Sequence, residues 1–374
     1  MGFRFVHTAD WQIGRAFRSF DAATAGALEE ARLDVIDPVA LVAIAGGASH
    51  VVVAGDIFDS PHLASKMLRQ TLERLRRHAG LHWWLLPGNH DPARPGGVWT
   101  RIHELGPPAN VTVLAEPGVR EMAPGIALLA SPLTARWVSR DPTEWMDGTA
   151  TAAGCVRIGL AHGSMKAFGN DGADAMINAS RAKLAGLDYL ALGDWHGATE
   201  VNARTWYSGT PEPDRFRANE PGHALLVTVD GPSATPRVER HRTGRYTWAA
   251  HVVELSSIER LPQVERAILG MAAEPRDLLV QLVLTGRLSA TGHALLSDWR
   301  DAFEAKVRHL SLDTSGLAVS VGNDDFAQFG DDALLRDIAV RLGSLADTEP
   351  NDPTAKAALA KLFDVTRRAR GGVH

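Results

Sequence analysis

The residues best suited to chemistry in this sequence are carboxylates, imidazoles and amides that follow short apolar runs. The sequence Gly-Asn-His-Asp at residues 88–91 comes directly after the apolar run 81–86. Asp10 follows the segment 3–6, and Asp56 follows the run 51–54. Short apolar runs that end in Gly or a polar residue are typical of parallel strands in an α/β sheet. Because ligands bind beyond the carboxyl ends of such strands, the spacing predicts metal ligands on one rim of a sheet.

Two further apolar runs extend this series. The run 156–161 ends at His162, and the run 187–192 precedes Gly-Asp-Trp-His at residues 193–196. Carboxylate, imidazole and amide groups without thiolate favour Mn²⁺, Mg²⁺, Fe²⁺ or Zn²⁺ over a structural zinc site. An aspartate at a strand tip can also bridge two ions about 3.5–4 Å apart. The complete set of candidate ligands is Asp10, Gln12, Asp56, Asn89, His162, Asp194 and His196.

The order of these motifs resembles that of the calcineurin-like metallophosphoesterases, and the chain is most similar to the SbcD-type DNA repair nucleases. The resemblance rests on His-Thr-Ala-Asp at 7–10, Ala-Gly-Asp-Ile-Phe-Asp at 54–59, Pro-Gly-Asn-His-Asp at 87–91 and Tyr-Ser-Gly-Thr-Pro-Glu-Pro at 207–213. It implies an α/β fold: a layered metallophosphoesterase β-sandwich flanked by helices, with a small α+β cap domain and C-terminal helices.

The resemblance also implies two bound ions. The first would be held by Asp10, Gln12, Asp56 and His196, and the second by Asp56, Asn89, His162 and Asp194. Gln12 stands where the family usually has His, and Asp194 stands where it usually has the first His of Gly-His-x-His. The neutral amide of Gln12 would weaken the first site, or would hold a water instead. The carboxylate of Asp194 strengthens the second site and favours harder ions, with Mn²⁺ foremost.

Metal-assisted hydrolysis of a phosphodiester is the reaction that the resemblance implies. Two ions would bind phosphate oxygens and lower the pKa of a bridging water. His90 would face the substrate, where it could stabilise developing charge or protonate the leaving oxygen; Asp59 or Asp91 could orient it. Trp11 and Trp195 lie inside metal motifs, so they either stack on a nucleobase or form a wall of the pocket.

Composition limits the class of protein. The chain has 374 residues, of which 45% are apolar and 22% charged, as in a soluble globular protein of two or three domains. One cysteine excludes an intrachain disulfide. No signal peptide or membrane span is evident, so we expect a cytoplasmic protein. A net charge of −5 does not favour nucleic-acid binding, although arginines cluster locally, for example at 237–245.

The elements that must position these residues form three predicted segments. Residues 1–246 are predicted to form the catalytic domain, with a helical stretch at 22–45 and a surface loop at 132–153. Residues 247–325 follow a β-α-β-α-β order that fits a cap domain. Residues 326–374 are predicted to form two helices. In SbcD-type nucleases such helices bind a coiled-coil ATPase; here the last helix either docks on such a partner or packs on its own chain.

Three functions remain open from the sequence. The first is a two-metal-dependent DNA exonuclease or endonuclease of repair or end processing, acting with an SbcC-like ATPase; the resemblance to SbcD-type nucleases, which usually are dimers, leaves a homodimer open. The second is a nucleotide phosphodiesterase or pyrophosphatase, which Gln12 and the acidic net charge favour. The third is a catalytically weakened scaffold that binds DNA ends or the ATPase.

Overall fold

A computed structural model describes residues 2–165, 176–217, 219–320, 329, 332–346 and 353–371. The chain divides into two compact units. The first comprises Met1–Asp214 with Ala218–Arg245, and the second comprises Arg215–Arg217 with Tyr246–His374. The predicted boundary between residues 325 and 326 lies outside the described residues.

The first unit contains two six-stranded sheets. In chain order, the strands of sheet 1 are β1 (Phe3–Thr8), β2 (His50–Val53), β3 (His82–Leu85), β4 (Val111–Val113), β11 (His223–Val229) and β12 (Arg237–Arg242). Their spatial order is β12-β11-β1-β2-β3-β4. Strands β1 to β4 are parallel, so the segments after β1, β2 and β3 leave the sheet at one edge.

Sheet 2 supplies the remaining candidate ligands. Its strands are β5 (Gly118–Ala123), β6 (Ile126–Ser131), β7 (Val156–His162), β8 (Tyr189–Gly193), β9 (Thr199–Asn202) and β10 (Thr205–Tyr207), in the spatial order β5-β6-β7-β8-β10-β9. Strands β6, β7 and β8 are parallel. Strands β4, β5, β6, β9 and β10 were not predicted, although the six residues of β6 are all buried.

Successive side chains of the sheet 1 strands point to opposite faces of the sheet, and this alternation explains the layered arrangement. Val52 faces the core shared with sheet 2 residues such as Ile158, whereas Val51 and Val53 pack into the core that includes helix residues. The helices of this unit are α1 (Ala22–Asp34), α2 (Ile36–Ala45), α3 (Ser65–Arg77), α4 (Val98–Leu105) and α5 (Arg181–Leu184). The predicted layered α/β fold, a sandwich flanked by helices, is confirmed.

The predicted helical stretch over residues 22–45 consists of two helices that meet at Val35, whose backbone is itself helical. Helix α1 ends at Asp34 and helix α2 begins at Ile36. Pro38 lacks an N–H, and its ring crowds the carbonyl four residues earlier, that of Asp34, so one backbone hydrogen bond is missing where the two helices meet. At the other end, the Asp21 side chain caps α1 by accepting hydrogen bonds from the amides of the first turn.

The second unit has a three-stranded parallel sheet in the order β13-β14-β15. Its elements are β13 (Thr247–Leu255), α6 (Leu261–Leu269), β14 (Leu278–Ser289), α7 (Ala290–Glu304), β15 (His309–Ser320), α8 (Ala333–Ala346) and α9 (Pro353–Gly371). Leu359 and Phe363 of α9 are fully buried with Ala294 and Val319, so this helix packs on its own chain. Within the described segments, no helix combines the length and apolar character needed to cross a membrane.

Candidate metal centre

Three predicted ligands from three different strand ends meet at one point. Asp10 follows β1, Asp56 follows β2 and His162 ends β7, and each offers a ligand atom within 4.8 Å of the others. All three side chains are buried. The Nε2 atom of His162 lies 3.5 Å from Oδ1 of Asp56. Two carboxylates and an imidazole at this spacing suit a divalent cation.

Asn89 and Asp194 complete this group. The Nε2 atom of His162 lies 3.3 Å from Oδ1 of Asn89 and 3.9 Å from Oδ1 of Asp194. Its Nδ1 atom lies 2.8 Å from the carbonyl oxygen of Ala54, which can only accept, so Nδ1 carries a proton and donates. This bond fixes the ring and directs Nε2 at the oxygens, as is usual for a metal-binding histidine.

Four candidate ligand positions have left-handed backbone conformations. The φ angles are 55° at Asp10, 46° at Gln12, 53° at Asp56 and 106° at Asp194. Non-glycine residues adopt such angles at a cost, and they cluster at functional sites. Backbone hydrogen bonds hold two of them: the Asp10 amide donates to the Gly55 carbonyl at 3.0 Å, and the Gln12 amide donates to the Asp56 carbonyl at 2.9 Å.

Two glycines of the motifs are required because a side chain at either position would clash with a candidate ligand. A Cβ atom on Gly55, which has a φ of +91°, would lie 2.3 Å from Nδ1 of His162. A Cβ atom on Gly88 would lie 2.2 Å from Oδ1 of Asp56. Side chains at these positions would displace the ligand groups themselves, so the glycines let the motif loops approach one another.

The centre concentrates negative charge in a buried space. Burial raises the pKa of Asp10 to about 6, and the neighbouring carboxylates of Asp56 and Asp194 act in the same direction. Burial lowers the pKa of His162, but the three carboxylates outweigh it and raise this pKa to about 9. A bound cation would relieve the repulsion, so the donor set fits a hard divalent ion.

Gln12 and His196 lie in a different environment from the other candidates. The Nε2 atoms of Gln12 and His196 are 3.4 Å apart. Nη1 of Arg15 donates to Oε1 of Gln12 at 2.7 Å and lies 2.9 Å from Oδ2 of Asp214. Nδ1 of His196 lies 3.2 Å from the same carboxylate oxygen. Sequence reasoning missed Arg15 and Asp214, although Asp214 directly follows the motif at 207–213.

A buried arginine on helix α1 stabilises the loop that contains Asp10 through hydrogen bonds. Arg32 is fully buried, and its guanidinium donates to Oγ1 of Thr210 at 3.1 Å, to the Asp10 carbonyl at 3.2 Å and to the Glu212 carbonyl. Thr210 also donates to the Asp10 carbonyl at 2.8 Å. The segment 207–213 therefore supports a candidate ligand through its backbone. No pattern in the sequence singled out Arg32.

His90 faces the centre from the loop after β3. Its amide donates to Oδ1 of Asp56 at 2.9 Å, and its ring Nδ1 donates to the Asp59 carbonyl at 3.1 Å. Its Nε2 atom then lies 4.0 Å from Oδ2 of Asp56. Asp91 is buried and accepts from the amides of Gly88 at 2.7 Å and Phe58 at 3.0 Å, so its carboxylate ties the motif loops together.

The hypothesis that Trp11 stacks on a nucleobase is wrong. Its ring is fully buried, meets Trp83 edge to face, and donates from Nε1 to Oγ1 of Thr8 at 3.0 Å. Trp195 is half-buried and packs against the core on the outer face of sheet 2.

A comparison with models of protein families identifies the family of this chain. The model of the calcineurin-like phosphoesterase family matches residues 3–228. A search of curated proteins gave no match. Among solved structures, the chain is similar to TT1561 of Thermus thermophilus, with 12% identity over 65% of this chain and 100% of that chain and a TM-score of 0.41. Because the family model spans more than half of its length, the chain belongs to the calcineurin-like phosphoesterase family, whose members are metal-dependent hydrolases of phosphoesters.

Proposed function

We propose that the protein is a metal-dependent DNA nuclease that hydrolyses phosphodiester bonds in DNA repair or end processing. The observation that carries the hydrolytic part is the cluster of Asp10, Asp56 and His162, with Nε2 of His90 beside it. The choice of DNA is supported by the resemblance of the motifs to those of SbcD-type nucleases. The same resemblance supports an SbcC-like ATPase as the partner and Mn²⁺ as the foremost metal.

The residues at this site have different roles. Asp56, Asn89, His162 and Asp194 would hold an ion, with the Asp10 carboxylate beside them. When bound, a divalent ion stabilises negative charge on the phosphate and favours ionisation of a water molecule near neutral pH. Since Nδ1 of His90 donates to the Asp59 carbonyl, Nε2 is the ring nitrogen that faces the site. Protonated Nε2 can donate to the leaving oxygen as the phosphodiester breaks.

A loop next to His90 offers a surface for nucleobases. The Leu133 amide donates to the Pro87 carbonyl at 3.2 Å, and the Ala93 amide donates to the Leu133 carbonyl at 2.8 Å. The loop after β6 therefore begins beside the motif 87–91. Trp137 lies four residues after Leu133, so the chain places it within about 14 Å of that residue. Its ring is 69% exposed, and the guanidinium of Arg136 lies 5.5 Å from the ring centroid. Aromatic rings and arginines of this kind stack on bases of single strands.

Hydrolysis of labelled DNA by metal-stripped protein tests the proposal. Duplex, hairpin and single-stranded substrates would be incubated with Mn²⁺, Mg²⁺ or EDTA, with the His90→Ala variant alongside. Metal-dependent cutting that the variant lacks is expected. If no DNA is cut in any metal while a simple aryl phosphodiester is hydrolysed, the DNA assignment is overturned and the phosphoesterase remains.

A nucleotide phosphodiesterase is the second candidate. The net charge of −5 favours it, because a small substrate needs no extended basic surface. Nucleotide phosphodiesters assayed beside the oligonucleotides distinguish the two, since this candidate requires a higher kcat/KM for the nucleotide.

A further inference from the structure

Gln12 does not present a free ligand oxygen to the centre. Its Oε1 atom is the only atom of the amide that binds cations, and it accepts a hydrogen bond from Nη1 of Arg15 at 2.7 Å. An ion on this oxygen would lie next to a guanidinium. The repulsion between two cations at that separation opposes binding.

The orientation of the Gln12 amide follows from its partners. Exchanging its oxygen and nitrogen would set an N–H group against Nη1 of Arg15, so two donors would meet. Arg15 cannot act as an acceptor, because its guanidinium has only donors. It is held in place by Asp214, whose side chain is only 2% exposed and lies 2.9 Å away. Arg15 therefore directs the Nε2 amide group of Gln12 at His196.

His196 is engaged through both ring nitrogens. Nδ1 lies 3.2 Å from the Asp214 carboxylate, which only accepts, so this nitrogen carries the proton. The lone pair then resides on Nε2, and Nε2 of Gln12 points an N–H group at it from 3.4 Å. An ion at this position would have to displace the amide from that lone pair. By contrast, Nε2 of His162 faces oxygen atoms of Asp56, Asn89 and Asp194.

We propose that the protein binds one divalent ion tightly, through Asp56, Asn89, His162 and Asp194. A hydrogen-bonded quartet takes the place of the second ion that the family resemblance implies; its members are Gln12, Arg15, His196 and Asp214. In this arrangement the guanidinium of Arg15 supplies fixed positive charge on that side of the centre. The Asp10 carboxylate accepts the Asp194 amide at 3.1–3.2 Å and lies within reach of the same ion, beside Asp56 and His162.

Counting bound ions tests this inference without reference to hydrolysis. Metal-stripped protein would be titrated with Mn²⁺, the bound metal measured by mass spectrometry, and the paramagnetic resonance spectrum recorded. One ion per chain with the hyperfine pattern of an isolated Mn²⁺ is expected. The proposal would be overturned if two ions bound per chain at free Mn²⁺ concentrations that just saturate the first site. The spectrum would then be the broad one of a magnetically coupled pair. Failure of the DNA assay leaves this count unaffected.

A double variant tests the role of the quartet. Gln12→His with Arg15→Met removes the guanidinium and supplies an imidazole, so it is expected to bind a second ion and to give the coupled spectrum. The control is Arg237→Met, which removes an exposed arginine that pairs with Asp230, and it should remain at one ion. A correctly folded double variant that still binds one ion would show that Gln12 and Arg15 do not exclude the second.

Discussion

Nδ1 of His196 lies 3.2 Å from Oδ2 of Asp214, and both side chains belong to segments that follow strands of sheet 2. The carboxylate also contacts Arg15 at 2.9 Å, so one buried acid orients an imidazole and a guanidinium. Asp214 therefore holds the His196 imidazole and the Arg15 guanidinium in place beside the metal centre.

Asp214→Asn is expected to lower kcat/KM for an aryl phosphodiester by up to about 100-fold, because a small displacement of groups beside the reacting phosphate has an effect of this size. The amide keeps the shape of the side chain but removes the charge that orients His196 and balances Arg15. Asp230→Asn is the matched control, because Asp230 pairs with Arg237 on the surface. An equal loss in both variants would contradict a specific role for Asp214.

His90→Ala is expected to lower DNA hydrolysis by about 10²–10⁴-fold, the usual contribution of a proton donor. Because His90 is not among the proposed ligands, Mn²⁺ affinity measured by calorimetry should remain close to that of the wild type. The loss should be smaller for p-nitrophenyl esters, since this leaving group needs no proton. The exposed His103 provides the control, as His103→Ala. A loss that does not depend on the leaving group would argue against proton donation.

Trp137→Ala is expected to raise KM for single-stranded oligonucleotides. Stacking of one base contributes about 1–3 kcal/mol, so an increase of roughly 5- to 150-fold follows. Trp137→Phe should retain most of the affinity, and hydrolysis of a small aryl phosphodiester should be unchanged in both variants. Unaltered KM for oligonucleotides in the alanine variant would remove this loop from the substrate surface.

Mn²⁺ is expected to stabilise the folded protein through the carboxylate cluster. A ligand at a hundredfold excess over its Kd adds about 2.7 kcal/mol to the free energy of unfolding, which calorimetry detects as a higher Tm. Asp56→Asn should lose this increase. Asp59→Asn is the control, and a retained Mn²⁺ effect in Asp56→Asn would contradict the site.

His7 is expected to make the protein less stable in mild acid. Its ring is fully buried between the Tyr189 hydroxyl at 2.9 Å and the Leu192 carbonyl at 3.1 Å, and burial lowers its pKa to about 3. The unfolded chain takes up this proton as the pH falls below about 6.5, whereas the folded protein does not. Stability is therefore fully present above about pH 6.5 and is lost as the pH falls toward 3, by up to about 1.4 kcal/mol per pH unit.

Denaturant unfolding in EDTA at pH 7, 6 and 5 measures this effect. His7→Phe cannot titrate, so its difference in free energy of unfolding from the wild type should shrink as the pH falls. His103→Phe, at an exposed position, should keep a constant difference from the wild type. A constant difference for His7→Phe would show that His7 does not carry the pH dependence.

The sequence alone established which strand ends carry candidate metal ligands. Parallel strands that leave the sheet at one edge must bring their following residues together, so Asp10, Asp56 and Asn89 could be expected to meet. The motif order added His162 and Asp194 from further along the chain. The layered α/β fold followed from the same alternation of apolar runs and helical stretches.

The tertiary structure alone decided which side chains contact each other around those ends. Arg15 meets Asp214, and Arg32 donates to Thr210, because of how the helices and the two sheets pack. Trp11 points into the core even though its neighbours in sequence are candidate ligands. Local patterns encode the direction of a strand and the type of its last residue. The partner of a long side chain some 180 to 200 residues away depends on packing, which no local pattern contains.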